Sequence, residues 1–433
     1  MIKLLLTLLL LIDIASGQKN TELAPGNQEQ RIIPAAERMD IYLPLLKNKS
    51  VAVFANASSV IGKSHLVDTL LKKGIRITKI FAPEHGFRGN ADAGENISNM
   101  SDPVTGVPIV SLYGSKLKPS ASDLEDVDVM IFDIQDVGVR FYTYISSLQK
   151  YIESAIENNR PLIILDRPNP NGYYIDGPVL DPKFRSFVGM QPIPVVYGMT
   201  IGEYAKMLIG EKWLDSLLIN DLNAARAINE AEKKIDSLIN TTIKQNIDFN
   251  IHGFQLFVIP CNHYTHKSKY VLPVKPSPNL PNMQSVYLYP SLCFFEGTVI
   301  SLGRGTDKPF QQFGHPSFAS NLYHFMPVSM PGAKNPPLLN QTCYGYDLSK
   351  LNITKEKKNQ LQLKWLIKAF ILYSDTVNFF LPSRFFNKLA GNDVLMKQVK
   401  DKKTEKEIRK SWEPGLDNFK RTRKKYLMYR DFY

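Results

Sequence analysis

Short apolar runs alternate with helical segments through the first half of this 433-residue chain. The runs are largely apolar on both sides of the chain, a pattern typical of strands that are buried on both faces of a parallel sheet. The segments between the runs carry helix-ending signals such as Gly74. We therefore predict an α/β fold in which helices cover both faces of a parallel sheet. The predicted strands are residues 51–55, 75–81, 107–112, 127–132 and 161–165.

Polar residues follow nearly all of these apolar runs. After the second run, Pro83 and Gly86 force a turn that sets Glu84 and His85 just beyond the strand. Because the carboxyl ends of parallel strands meet at one edge of a sheet, these polar residues should converge where open α/β sheets bind ligands. The candidates at this edge are Asn56, Glu84, His85, Arg88, Tyr113, Asp133, Asp136, Arg140, Asp166 and Arg167.

Carboxylates are prominent among these candidates, and they suit two kinds of chemistry. Paired Asp or Glu residues can serve as acid and base, or as nucleophile, in glycoside hydrolysis. The same groups can hold Mg²⁺ or Ca²⁺ through their oxygens. A structural interpretation is that arginines neutralise some of them, with Arg167 beside Asp166 as the clearest case. His85 is better suited to orienting hydrogen bonds than to binding a metal.

Aromatic and glycine-flanked residues extend the candidate site. Phe141 and Tyr142 follow Arg140, where their rings could pack in the core or stack against the face of a sugar. Glu296 and Arg304 lie much later in the chain beside glycines, which let a backbone come close to a ligand. Ordinary turns are the alternative interpretation for this later stretch.

The regular alternation ends after Gly198, where mixed strands, loops and helices begin. We therefore predict a parallel-sheet domain over residues 31–205 and a mixed α+β domain over residues 206–433. The boundary is placed at the change of pattern.

Cofactor-binding motifs are incomplete in this sequence. Residues 57–64 nearly match the phosphate-binding loop of nucleotide hydrolases, but alanine stands where the motif needs its first glycine. The glycine-rich dinucleotide fingerprint follows none of the predicted strands. The three cysteines lack the spacing of a zinc site. We therefore expect no nucleotide, no metal and no other cofactor.

The N-terminus has the pattern of a secretory signal peptide. A lysine at position 3 precedes an apolar run to Ile12, and small residues lead to Gly17. The predicted signal peptide is therefore residues 1–17, followed by a flexible polar leader over residues 18–30. The apolar run is too short to span a bilayer, so we expect a periplasmic or extracellular protein without stable membrane insertion.

The formal net charge is +12, and much of the excess lies in the C-terminal tail. A solvated helix face is the simpler interpretation. Attraction to a polyanion is the alternative, and for an exported protein that polyanion would be cell-wall glycan or a membrane surface rather than nucleic acid.

Ten segments of the sequence carry a family pattern: residues 81–86, 111–114, 133–144, 166–170, 186–189, 198–203, 276–281, 296–297, 303–306 and 426–429. Together they resemble the NamZ-type exo-β-N-acetylmuramidases. The similarity covers nearly the whole chain after about residue 48, and its most specific part is the twelve-residue run 133–144. A departure is Ser301-Leu302, where a Ser-Glu pair is expected before Gly303.

The resemblance implies a Rossmann-like N-terminal domain, a second C-terminal domain and an active site in the cleft between them. It implies release of N-acetylmuramic acid from the non-reducing ends of peptidoglycan fragments, with Glu84 as the catalytic glutamate. The partner group stays open among Glu296, Asp133, Asp136 and the acetamido oxygen of the substrate. The expected catalytic set is Glu84, His85, Asp133 and Glu296, and the expected substrate-binding set is Asn56, Arg88, Tyr113, Asp136, Arg140, Tyr142 and Arg304.

One further expectation concerns specificity. Muramic acid carries a lactyl carboxylate that glucosamine lacks, and the planar fork of an arginine is the best side chain for a carboxylate. Arg140 and Arg304 are the two candidates, unless each merely pairs with a nearby aspartate. A non-catalytic peptidoglycan-binding protein and a metal-dependent hydrolase remain as alternative functions. The sequence gives no oligomeric state.

Overall fold

The computed structural model describes residues 30–84, 86–88, 100–215, 249–251, 254–353 and 359–433. The predicted signal peptide and all but the last residue of the predicted leader lie outside the described residues. The candidate His85 also lies outside them. In the part that is described, no helix combines the length and the apolar character needed to cross a membrane.

A short 3-10 helix (Ala35–Glu37) precedes the α-helices and strands, which begin at residue 39. The strands are β1 (Ser50–Ala55), β2 (Val60–Ile61), β3 (Ser64–His65), β4 (Arg76–Ala82), β5 (Met100–Ser101), β6 (Pro108–Ser111), β7 (Val129–Asp133), β8 (Leu162–Leu165), β9 (Phe249–Ile251), β10 (Phe254–Ile259), β11 (Gln312–His315), β12 (Tyr323–Phe325) and β13 (Cys343–Asp347). The α-helices are α1 (Met39–Leu46), α2 (Leu66–Lys72), α3 (Tyr144–Glu157), α4 (Ile201–Gly210), α5 (Met283–Leu292), α6 (Lys364–Leu372), α7 (Phe385–Ala390), α8 (Val394–Lys400) and α9 (Glu405–Lys424).

Among the described residues, eight strands form the main sheet in the order β5-β6-β4-β1-β7-β8-β10-β9. All neighbours from β6 to β10 run parallel. The edge strands β5 and β9 pair antiparallel with β6 and β10. The predicted α/β class is confirmed, and all five predicted strands belong to this sheet.

The central strands β1 and β7 are almost entirely apolar because both faces of the sheet are covered. Alternate residues of a strand point to opposite faces. Val51 and Val53 of β1 accordingly pack in the hydrophobic cluster that contains residues of α1 and α2. Ala52 and Phe54 pack in the cluster on the other face, where the Phe54 ring stacks on Phe132 with the centroids 4.9 Å apart.

The main sheet continues past residue 205, where the sequence analysis placed a domain boundary. Strand β10 is its sixth parallel strand and pairs with β8, with Leu256 opposite Leu162. Residues Ile32–Tyr433 are also one unit by their contacts. The partner of β10 lies about ninety residues earlier in the chain, and a local pattern cannot reveal such a partner.

The later part of the chain contains a small antiparallel sheet in the order β11-β13-β12. Within the apolar stretch of residues 361–380, only α6 (Lys364–Leu372) is an α-helix. Beyond α6, Phe379 and Phe380 are buried, and the Phe379 carbonyl accepts a hydrogen bond from Val299 N at 3.0 Å. Residues 57–64, which nearly match a phosphate-binding loop, largely form the β2–β3 hairpin.

Candidate active site

A cavity of about 370 Å³ lies at the carboxyl end of the parallel strands. Five of the predicted site residues line it: Glu84, Tyr113, Tyr142, Glu296 and Arg304. The first two directly follow β4 and β6, which are neighbours in the sheet. Lining residues outside the predicted site set include Tyr144, Ser277, Asn279, Tyr289, Phe310 and Phe385.

Glu84 is half-buried and lies against two phenols. Burial raises the pKa of Tyr113 to about 12, together with the charge of Glu84 and a hydrogen bond between the two side chains. Tyr113 is therefore neutral at ordinary pH and acts as a hydrogen-bond donor to the carboxylate. The pKa of Tyr144 is also raised, mainly by burial and further by the charge of Glu84.

Asn56 supports the cavity wall and is not among its lining residues. Its Nδ2 donates to the Tyr144 hydroxyl at 2.8 Å. Its Oδ1 accepts from the backbone N–H of Ser58 at 2.9 Å, which fixes the orientation of the amide. The predicted substrate-binding residue thus holds Tyr144 in place at the end of β1.

The aromatic part of the wall is assembled from two distant segments. The Tyr142 ring packs edge to face on Tyr144 at 4.7 Å and on Tyr289 at 5.8 Å. The Tyr142 hydroxyl donates to the Pro276 carbonyl at 2.8 Å. These contacts fix the ring at the cavity, and its stacking on a sugar stays a prediction.

Glu296 and Arg304 form an ion pair in the wall contributed by the later part of the chain. Arg304 Nε donates to Glu296 Oε1 at 2.8 Å, and Nη2 donates to the same oxygen. The guanidinium also lies over the Phe310 ring, 5.1 Å from its centroid. Both charged side chains remain about one-fifth to one-quarter exposed, at 21% and 24%.

Asp133 is part of the buried framework behind the cavity. Arg167 Nε and Nη2 donate to its two carboxylate oxygens at 2.5 and 2.8 Å. The side chains of Asp133 and Arg167 are 0% and 2% exposed. The sequence analysis paired Arg167 with Asp166, but Asp166 accepts instead from the Tyr429 hydroxyl at 2.5 Å. Consecutive residues at a strand end point in opposite directions, so Arg167 reaches the neighbouring strand.

Asp136 also lies beneath the surface of the site. It accepts hydrogen bonds from the Tyr197 hydroxyl and from the Gly138 backbone N–H. Burial raises its pKa to about 6. The residue holds the turn after β7, and it does not line the cavity.

The side chains of Arg140 and Arg88 donate hydrogen bonds to other protein groups, and neither side chain lines the cavity. Arg140 is 0% exposed, and its Nη1 and Nη2 donate to three backbone carbonyls: Pro178, Ile193 and Leu389. Arg88 donates to Asp102 at 2.7 and 2.8 Å and to Asp68 at 3.1 Å. The Arg88 guanidinium holds the pKa of Asp102 at about 2. The expectation that Arg140 faces a ligand was therefore wrong.

The described parts of the chain contain no group of three or more His, Cys, Asp and Glu side chains arranged to hold a metal ion. Among the lining carboxylates, Glu296 is neutralised by Arg304.

Comparison with known proteins places this chain in a family. The model described as "Exo-beta-N-acetylmuramidase NamZ, N-terminal" matches residues 51–284, and its C-terminal counterpart matches residues 287–429. The chain belongs to the NamZ family. The resemblance found in the motifs is thus confirmed, and the division between the two NamZ parts falls at the start of α5, after β10.

This chain is similar to known proteins over most of its length. It is 36% identical to the Bacillus subtilis (strain 168) protein "Peptidoglycan beta-N-acetylmuramidase NamZ" over 406 residues, covering 90% of this chain and 89% of that protein. A DUF1343 family protein from Bacteroides fragilis NCTC 9343 is 44% identical with a TM-score of 0.79, covering 93% of this chain and 99% of the other. A second from that organism is 25% identical with a TM-score of 0.68, covering 92% and 99%.

Proposed function

We propose that this chain is an exo-β-N-acetylmuramidase that releases N-acetylmuramic acid from the non-reducing ends of peptidoglycan fragments. The observation that carries the proposal is the cavity in which Glu84 lies beside a hydrogen-bonding phenol, with a second carboxylate and an arginine in the same wall. Membership of the NamZ family and the name of the Bacillus subtilis relative support it.

The cavity suits a single sugar held at a chain end. Its volume of about 370 Å³ is within the range of roughly 300–1,000 Å³ typical of small-molecule sites. Aromatic rings in the wall offer apolar faces to the C–H surface of a pyranose. Charged groups occupy only part of the described wall, so most of the contact with a sugar would be apolar or neutral.

Glu84 is the residue we assign to proton transfer. As an acid it would protonate the glycosidic oxygen that leaves, and as a carboxylate it would accept the proton of the incoming group. Tyr113 keeps its own proton and can orient the Glu84 carboxyl through their hydrogen bond. The other carboxylate in the described wall is Glu296, which is paired with Arg304. The second reacting group is either this carboxylate or the acetamido oxygen of the substrate.

The proposal is tested with two disaccharides that differ in the order of their sugars. Purified protein should release free N-acetylmuramic acid from the disaccharide with that sugar at the non-reducing end. It should leave intact the disaccharide with N-acetylglucosamine at that end. Mass spectrometry identifies the products, and a chromogenic β-muramide gives the rate. Binding of the first disaccharide without turnover would indicate a non-catalytic peptidoglycan-binding protein instead.

The reaction should not need an added metal ion. Arg304 and Arg167 already neutralise Glu296 and Asp133, which removes the electrostatic need for a cation at these two carboxylates. Turnover of the chromogenic muramide should therefore be the same in EDTA as in buffer. Activity that disappears in EDTA and returns with Mg²⁺ or Ca²⁺ would favour the metal-dependent hydrolase.

We also propose that the protein is exported to the periplasm or the medium, where it meets peptidoglycan fragments and muropeptides. The support is the signal-peptide pattern over residues 1–17. Intact-mass measurement of protein from its native host should give a chain that begins soon after Gly17. A full-length chain that retains Met1 and stays in the cytoplasm would contradict export.

A further inference from the structure

The described cavity wall contains one cationic side chain, Arg304, and two carboxylates, Glu84 and Glu296. The proposed substrate brings a third carboxylate, on the lactyl group at O3 of the muramic acid ring. Like charges in a partly buried cavity repel one another strongly, because the effective dielectric constant there is well below that of water. Along the part of the wall that the structure describes, a substrate carboxylate can therefore enter at low energetic cost only beside Arg304.

The backbone around Arg304 is built to fix its position. Gly303 and Gly305 adopt φ angles of +83° and +78°. A Cβ at Gly303 would lie 2.8 Å from the Lys308 carbonyl oxygen, and one at Gly305 would lie 2.6 Å from that of Val328. Both positions thus require glycine, for the turn and for the close approach of neighbouring backbone.

The side-chain contacts of Arg304 leave part of its guanidinium unused. Nε and Nη2 both donate to one oxygen of Glu296, whereas Nη1 makes no hydrogen bond to any residue that the structure describes. Phe310, whose ring lies against the guanidinium, has a φ of +56°. Such a backbone conformation is strained for a bulky residue, and strain of this kind concentrates at ligand sites.

We infer that Arg304 binds the lactyl carboxylate of the terminal muramic acid and is the residue that selects this sugar over N-acetylglucosamine. Glu296 is then a positioning residue that holds the guanidinium through Nε and Nη2. The inference rests on the proposed function, and it orients the sugar with its O3 side towards Arg304 and its glycosidic bond towards Glu84.

The test compares a chromogenic muramide with its lactyl amide, which keeps the shape of the group and removes its charge. Wild-type protein should prefer the free acid. Arg304→Gln keeps a donor for Glu296, and it should lower kcat/KM for the acid by roughly 10- to 100-fold while changing the amide little, since hydrogen bonds to charged groups contribute about 1.5–3 kcal/mol. Arg304→Lys should restore part of the preference.

Two further variants complete the test. Lys308→Ala is the matched control, because Lys308 is on the same loop, pairs with Asp347 at 2.8 Å and does not line the cavity. It should keep the wild-type preference. Glu296→Gln should lower the ratio of kcat/KM for the acid to kcat/KM for the amide, because the guanidinium then loses the carboxylate that holds it. A ratio equal to that of the wild type would overturn the positioning role.

Failure of the inference can be told apart from failure of the proposed function. If wild-type protein hydrolyses neither compound, the proposed function fails. If it hydrolyses both, and the folded Arg304→Gln variant keeps the full preference for the acid, Arg304 is not the lactyl-binding residue. Melting temperatures measured for all variants establish that they are folded.

Discussion

Replacement of Glu84 by glutamine is expected to leave the fold intact and to lower kcat by at least about 100-fold, because general acid–base catalysis typically contributes about 10²- to 10⁴-fold. Glu84 lines the cavity beside Tyr113 and lies in a turn after β4. Glutamine preserves size and hydrogen bonding to Tyr113, but it cannot exchange a proton. The measurement is steady-state turnover of a chromogenic muramide over a range of pH.

Two comparisons make the Glu84 result specific. Asp126→Asn removes an exposed carboxylate that pairs with Lys79 of β4, and its kcat should equal that of the wild type. Tyr113→Phe removes the hydrogen bond to Glu84 and should give a smaller loss together with a shifted pH profile. If Glu84→Gln turns over the muramide at a nearly wild-type rate, proton transfer belongs to another residue.

Replacement of Asp133 by alanine should lower the free energy of unfolding by about 3–5 kcal/mol, the usual cost of removing one partner from a buried ion pair. Arg167 is 2% exposed and directs two guanidinium nitrogens at this carboxylate. Without Asp133 its charge would remain buried and largely unpaired. Urea unfolding monitored by circular dichroism gives the change.

The control for Asp133 is an exposed pair in the same molecule. Asp417 lies 3.3 Å from Lys420 on α9, with its side chain 62% exposed. Asp417→Ala should change the free energy of unfolding by less than about 1 kcal/mol, because water already solvates both charges. An Asp133→Asn variant that is as stable as the wild type but inactive would return Asp133 to the set of catalytic candidates.

Local sequence patterns determined the parallel sheet and one half of the candidate site. A strand buried on both faces is largely apolar, so the strands could be located from the sequence. The residue that follows a parallel strand must also lie at the common carboxyl edge, wherever the strand sits in the sheet. This is why Glu84 and Tyr113 could be placed near each other from their positions after β4 and β6.

Only the tertiary structure decided which charged groups face the cavity and which hold the framework. Arg140 and Arg304 are residues of the same type. Arg140 is nevertheless 0% exposed and lies among backbone carbonyls, whereas Arg304 lines the cavity. Arg167 pairs with Asp133, 34 residues away, instead of with its neighbour Asp166. The reason is that the partner of a charged side chain is set by the packing of distant segments, which bury one guanidinium and place another in the wall of a cavity.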